Sequence, residues 1–327
     1  MRRELVSLGA SLGAAAMLAT LAACPPAAAQ TYPDRPVRLL IAFPAGGTID
    51  TLGRILAQKL SEAWGQNVVI ENRAGAGGNI GAALAAQAVP DGYTLHFGAQ
   101  SLAVNVTIAP YQNLDPVKDF DPIILAATAT DVLVVPLSSP FHTLRELIDY
   151  ARSHPGELNY GSLGVGTSSH LSTVQFADIA GLKLQHVPYT GFSQATTDLV
   201  AGRIALWIPT LGGSLGNIQA GKMRALAISG PARAPAVPDI PTFKEQGVEF
   251  GESSWYALFA PKGTPKEIIA KVNADVERIL ALPDVKEKAV TLGYRYVGGP
   301  PDKLASFLAH EIAKWAEVAK SASLKGN

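Results

Sequence analysis

The stretch Val37-Arg38-Leu39-Leu40-Ile41-Ala42-Phe43-Pro44-Ala45-Gly46-Gly47-Thr48-Ile49-Asp50 leads into an amphipathic run that ends at Trp64. Residues 37–42 are short and nearly continuous in apolar side chains, which predicts a strand buried on both faces of a parallel sheet. Leu52, Ile55, Leu56, Leu60 and Trp64 keep the i, i+3, i+4 spacing of one buried helical face, and Gly65 ends it. Between them lies a glycine loop. A strand–loop–helix joint of this kind aims free backbone N–H groups and the positive end of a helix dipole at one point. Such a point holds an anion without a basic side chain.

The same grammar continues outward. Residues 67–71 read as a second strand, followed by Asn72-Arg73-Ala74-Gly75-Ala76-Gly77-Gly78-Asn79-Ile80-Gly81 and an alanine-rich helix to about Val89. Pro90-Asp91-Gly92 is a turn and residues 93–98 a third strand, giving βαβαβ and a doubly wound parallel sheet. The chain then runs through residues 123–127 to a predicted strand at Val132–Pro136 and a helix at 143–153 with Thr143 as its cap. A strand at 157–161 runs into a second polar loop, Ser162-Leu163-Gly164-Val165-Gly166-Thr167-Ser168-Ser169-His170, which opens a helix to Ala180. A strand at 184–188 precedes Tyr189-Thr190-Gly191 and a helix at 192–201, with short strands at 204–208 and Met223–Ile228. From Ser254 the first pattern returns, with a strand at 255–260 and helices at 264–282, 285–292 and 301–321. The expected fold is α/β, two doubly wound lobes joined by a two-strand hinge near residues 128–134 and 252–258. Lobe 1 would hold residues 31–131 and 254–327, and lobe 2 residues 132–253.

Composition narrows the function. The 327 residues are 48% hydrophobic and 17% charged, which provides a core of ordinary size. Lys plus Arg and Asp plus Glu both number 27, so no basic face is available for nucleic acid or an anionic membrane. Residues 1–30 read as an export signal: Arg2 and Arg3, a small apolar stretch without charge from Leu5 to Ala23, then Cys24-Pro25-Pro26-Ala27-Ala28-Ala29-Gln30. Cleavage after the alanines or lipid modification at Cys24 are both compatible with it, and either places the mature chain outside the cytoplasm. Cys24 is the one cysteine, so disulfides, a thiol nucleophile in the mature chain and zinc–thiolate sites are excluded.

Catalytic and cofactor motifs do not fit. Gly75 to Gly81 has the spacing G-x-G-x-x-x-G, follows a second strand and lacks a ribose-binding acid downstream, so no dinucleotide cofactor is expected. Ser162 and Ser168 lie in glycine-rich context, but neither sits in G-x-S-x-G. The histidines show no metal-ligand spacing. An exported hydrolase using Ser168 and His170, and a ligand sensor docking to a signalling partner, are the alternative readings. The recurrent feature is a small polar loop opening a helix: Gly46-Gly47-Thr48, Gly77-Gly78-Asn79, Gly166-Thr167-Ser168 and Tyr189-Thr190-Gly191. All follow the carboxyl ends of strands, where open α/β sheets bind ligands. Arg and Lys are scarce in these loops, which suits carboxylates better than phosphates. The candidate ligand residues are therefore Phe43, Ala45, Gly46, Gly47, Thr48, Asp50, Gly78, Asn79, Gly166, Thr167, Ser168, His170, Tyr189 and Thr190, together with Gln100 and Ser101 after the third strand.

Tyr32-Pro33-Asp34-Arg35-Pro36 with Phe43-Pro44-Ala45-Gly46-Gly47, Asn72-Arg73-x-Gly75-Ala76-Gly77-Gly78-Asn79-Ile80-Gly81, Pro155-Gly156-Glu157-Leu158-Asn159-Tyr160-Gly161-Ser162 and Val187-Pro188-Tyr189-x-Gly191 resembles the Bug family of bacterial periplasmic solute-binding proteins. The likeness extends through Pro238-Asp239-Ile240-Pro241-Thr242 and Phe259-Ala260-Pro261-x-Gly263-Thr264-Pro265. The resemblance implies a periplasmic-binding-protein type II clamshell that serves a tripartite tricarboxylate transporter. It also implies a monomeric receptor, without cofactor or catalysis, that holds a small carboxylate between its lobes largely through backbone and water. Two departures stand out. Thr190 replaces a basic residue common in relatives, and Ile204-Ala205-Leu206-Trp207-Ile208-Pro209 lacks their acids. Losing both signs of charge favours an aromatic or alkyl carboxylate, or a hydroxy- or oxo-acid, over an amino acid, for whose ammonium Asp50 is the one obvious partner.

Overall fold

The computed structural model describes residues 32–251 and 254–321. Chain contacts separate residues 1–34, of which Tyr32, Pro33 and Asp34 are described and include a cis Tyr32–Pro33 peptide, from residues 35–327. Every described strand and helix belongs to the second unit. The expected export signal, Cys24 included, lies outside the described residues.

The first strand–loop–helix joint forms as β1 (Val37–Ile41) and α1 (Thr48–Trp64). Gly65 stops the helix in the left-handed conformation, φ 65°, returning its N–H to Ser61 O. β2 (Val68–Asn72), α2 (Asn79–Ala86) and β3 (Thr94–Ala99) follow, with β1 parallel to both β2 and β3. The chain continues through α3 (Ser101–Ile108) and α4 (Pro116–Asp119) into β4 (Phe120–Ala129). It then enters a second sheet through β5 (Val132–Pro136), α5 (Leu144–Ser153), β6 (Asn159–Ser162), α6 (Ser168–Ala180) and β7 (Gln185–Pro188). α7 (Phe192–Val200), β8 (Leu206–Trp207), α8 (Leu211–Gln219) and β9 (Met223–Ile228) complete that half. The return is β10 (Ser254–Pro261), α9 (Lys266–Leu280), α10 (Pro283–Leu292), β11 (Tyr294–Tyr296) and α11 (Pro301–Ser321). Strand orders are β11-β4-β10-β3-β1-β2 and β7-β6-β8-β5-β9. The molecule is α/β with two lobes, each built on one sheet.

The sheets are mixed, not wholly parallel. β10 runs antiparallel to β3 and β4, and β5 antiparallel to β8 and β9. Both are the first strands after the chain changes sheet. A chain leaving one sheet at its carboxyl edge enters the next at that same edge, so its first strand must run backwards. β5 also shows why its sheet is double-covered: Leu133 and Val135 pack into one apolar cluster, Val132 and Val134 into another on the opposite face.

Asp131, 1% exposed, ties the crossovers together. Its N–H donates to Ser229 Oγ at 2.7 Å, and its carboxylate accepts from Ser172 Oγ at 3.1 Å and Ser254 Oγ at 2.8 Å. A separate apolar cluster joins Val104 and Ile108 of α3, Leu171 of α6, and Trp315 and Ala319 of α11. Among the described residues no helix is long and apolar enough to cross a membrane.

Candidate functional site

A cleft of about 480 Å³ lies where the carboxyl ends of β1, β3, β6, β7 and β8 meet the start of β10. Five helices begin on it: α1, α3, α6, α7 and α8. Their N-cap residues, Gly47, Gln100, Thr167, Gly191 and Thr210, all line the cleft, and none donates a side-chain cap to its helix. First-turn N–H groups have no partner within a helix, and side-chain caps are their usual local answer. The two threonine hydroxyls are engaged elsewhere: Thr167 Oγ1 donates to Gly164 O at 2.7 Å, and Thr210 Oγ1 lies 2.8 Å from Thr48 Oγ1. Several positive helix ends thus face one volume.

Among the described residues no lining side chain is charged. The apolar wall comes from Phe43, Ile49, Leu163, Phe192, Pro209, Trp255 and Tyr256. Trp255 is held from behind by its Nε1–H, which donates to the buried Glu311 at 3.1 Å. Burial pushes the Tyr256 phenol well above its ordinary range, so it is neutral. Small hydroxyls and amides complete the surface: Thr48, Gln100, Ser101, Ser168, Ser169, Thr190, Ser193 and Ser254. Such a lining suits an anion held through dipoles and hydrogen bonds rather than an ion pair.

Phe43, Ala45, Gly46, Gly47, Thr48, Gln100, Ser101, Thr167, Ser168 and Thr190 are brought together on the cleft. Six other expected residues are not on its lining. Gly78 and Asn79 face a separate pocket of about 10 Å³ behind Phe43, because Asn79 ties its loop to α3: Asn105 Nδ2 donates to Asn79 Oδ1 at 3.0 Å. Asp50 is 2% exposed and turned into its own loop, accepting from Gly46 N–H, Arg54 Nε and Asn72 Nδ2 at 2.9, 2.8 and 3.0 Å. Burial opposes its charge, but those bonds and Arg54 outweigh it and lower its pKa. Gly166 sends its N–H to His170 Nδ1 at 3.4 Å, so both serve the loop's own shape. Burial, with His186 beside it, brings His170 down to about 4. Among the described residues no hydrogen bond joins Ser168 to His170, and the pair has no nucleophile–base geometry. Tyr189 is buried, its O–H donating to Asp198 at 2.9 Å, and burial with that carboxylate pushes it to about 12.

Lining residues outside the sequence-based candidates include Ile49, Leu163, Ser169, Phe192, Ser193, Pro209, Thr210, Ser254, Trp255 and Tyr256. Thr210 opens α8, whose Gly212, Gly213 and Gly216 hide it from any propensity argument. The glycines serve packing: a Cβ on Gly212 would lie 2.3 Å from Leu292 O of α10. The 204–209 segment lacks acids because Leu206, Trp207 and Ile208 are core.

Residues 52–324 match the family described as tripartite tricarboxylate transporter family receptor. A UPF0065 protein from the tcbD-tcbE intergenic region of Pseudomonas sp. is 39% identical, the match covering 90% of this chain and 89% of that one. A Rhodopseudomonas palustris protein solved with adipate is similar at 37% identity and a TM-score of 0.84, over 90% of this chain and 100% of that chain. MatC of Rhodopseudomonas palustris, solved with bound malate, is similar at 33% identity and a TM-score of 0.80, over 88% and 99%. By sequence and by likeness to solved structures, the chain belongs to the tripartite tricarboxylate transporter receptor family.

Proposed function

We propose that this protein is an exported, monomeric receptor that captures a small carboxylate in the cleft and delivers it to a tripartite tricarboxylate-type membrane transporter. The observation that carries the reading is the convergence of five helix N-termini, without side-chain caps, on one volume whose described lining has no charge. Its size falls in the roughly 300–1,000 Å³ range of small-molecule sites. The adipate and malate of the two neighbouring structures are ligands of the same chemical class. Residence in the periplasm rests on the leader-like residues 1–30 and on family membership.

The lobes divide, in this reading, as residues 31–131 with 254–327 against 132–253, and close about the two crossovers. The apolar wall and uncharged rim favour alkyl, aromatic, hydroxy- or oxo-carboxylates over amino acids, since an ammonium group would be desolvated without a counter-charge. A thermal-shift screen over mono-, di- and aromatic carboxylates and amino acids tests it. A true ligand at a hundred times its Kd should add about 2.7 kcal/mol of stability, with stoichiometric binding and no turnover. A screen in which no carboxylate shifts the melting temperature overturns the reading.

A further inference from the structure

The last helix, α11, buries one stripe: Leu304, Leu308, Glu311, Trp315 and Ala319 recur at spacings of three and four, none more than 6% exposed. The acid is the exception among them. A buried carboxylate is costly unless donors surround it. Here Glu311 Oε2 accepts from two indoles, Trp255 Nε1–H and Trp315 Nε1–H, each at 3.1 Å, and Oε1 accepts from Lys314 Nζ at 3.2 Å. Lys314 Nζ also stands 5.1 Å from the centre of the Trp315 ring. An indole has a single N–H to give, so one oxygen shared by two indoles ties the rings to each other. An apolar residue would fill position 311 without the desolvation cost, but it could not hold two N–H groups.

Trp315 carries this tie across to the other lobe. With Ala319 it packs against Val104 and Ile108 of α3 and against the fully buried Leu171 of α6. α6 opens on the cleft at Thr167 and Ser168, so Leu171 stands one turn from the ligand end of the helix. The next residue, Ser172, is the one that donates to Asp131. α6 is therefore held at two adjacent positions, by the crossover through Ser172 and by α11 through Leu171. We propose that Glu311 is a positioning residue for ligand capture: by locking the Trp315 indole against Leu171, it sets where the cleft end of α6 stands. The inference rests on the receptor reading above and adds to it a residue that does not line the cleft.

Hydrogen exchange on the whole unliganded protein reads the link, because local loosening appears as faster exchange of the amides concerned. Glu311→Leu keeps the stripe apolar and gives the indoles no acceptor. In that variant residues 171–176 of α6 should exchange about threefold faster than in the wild type or more, with α5 of the same lobe unchanged. Trp315→Phe keeps a ring on Leu171 and gives up the bond, and serves as a second variant with the same expectation. Glu311→Gln still offers an amide oxygen to both indoles and should exchange as the wild type does. A merely structural acid would loosen α11 and β10 and leave α6 as it was. Calorimetry uses adipate, malate or, where another acid of the screen binds tighter, that acid. Glu311→Leu and Trp315→Phe should bind it about fivefold weaker, and Glu311→Gln within about twofold of the wild type. Wild-type exchange of α6 in both disrupted variants overturns the proposal, as does an affinity that neither variant diminishes. Either result leaves the receptor reading standing, whereas a wild-type protein that binds no carboxylate of the screen overturns that reading and this role with it.

Discussion

Thr48 Oγ1 and Thr210 Oγ1 meet at 2.8 Å across the cleft, although 162 residues separate them and they belong to helices on different sheets. Thr48 is itself held from behind, because Tyr294 O–H donates to its carbonyl at 2.7 Å. The bond is thus a direct link between the two jaws.

Thr210→Val removes that link while keeping the side-chain shape. Its hydroxyl does not cap α8, so the helix loses nothing else. A neutral hydrogen bond contributes about 0.5–1.5 kcal/mol net, which predicts a loss of roughly twofold to tenfold in ligand affinity. Thr210→Ser should retain the wild-type value. Calorimetry that finds the valine and serine variants binding alike would remove the link from the binding equilibrium.

Gly47 tests the first loop. Its backbone, φ −80° and ψ 173°, is open to any residue, and an added Cβ would meet only Pro44 O, at 3.8 Å. Gly47→Val should therefore fold normally and lose binding, because its methyls would occupy the approach to the N-terminus of α1. The check pairs circular-dichroism melting with titration; undiminished affinity would take this loop out of the site.

Asp50 is predicted to matter for stability and not for ligand choice. Asp50→Ala strands the N–H of Gly46, the guanidinium of Arg54 and the amide of Asn72, at a cost of about 1–3 kcal/mol. The milder Asp50→Asn should leave the order of ligands in the screen unchanged. An amino acid that binds the wild-type protein and is lost in Asp50→Asn at unchanged melting temperature would reverse this assignment.

Acid should destabilise the protein in two stages. Burial holds His96 and His170 at about 4, so both are neutral when folded, whereas unfolded histidines titrate near 6.5. Their contribution is complete above about pH 6.5 and is lost as pH falls toward 4, about 1.4 kcal/mol for each tenfold difference in proton affinity. Asp50, whose pKa is lowered, loses its contribution only below its ordinary 3.8. Thermal melts from pH 7 to 4.5 should show the first stage, flattened in His170→Asn, whose amide oxygen can still accept from Gly166. An identical slope in that variant would mean His170 is not responsible.

How much of this was legible depends on what the chain writes locally. The joint at residues 37–64 could be read because its strand, glycine loop and helix each follow a one-dimensional rule. The backward run of β5 and β10 could not, since it follows from where the chain re-enters a sheet. Site residues divide similarly. Gly47, Thr48, Thr167 and Ser168 lie on the lining because strand ends point there. Asp50, His170 and Tyr189 were indistinguishable from ligand groups in sequence, and only their partners, Gly46 and Arg54, Gly166, and Asp198, show them turned inward. Thr210 was hidden by the glycines that follow it.

Ser254 belongs both to the shell of Asp131 and to the cleft surface. A serine hydroxyl has a single proton, and here it is given to the carboxylate. Toward the cleft Ser254 can therefore offer only lone pairs. While the helix ends supply donors, this part of the floor asks for one. A ligand that meets Ser254 with a hydrogen would leave this bond intact, whereas one that meets it with an oxygen would compete for the proton and slacken the knot that joins the two sheets. Ligand polarity and the mechanics of the crossovers would then be coupled through one proton.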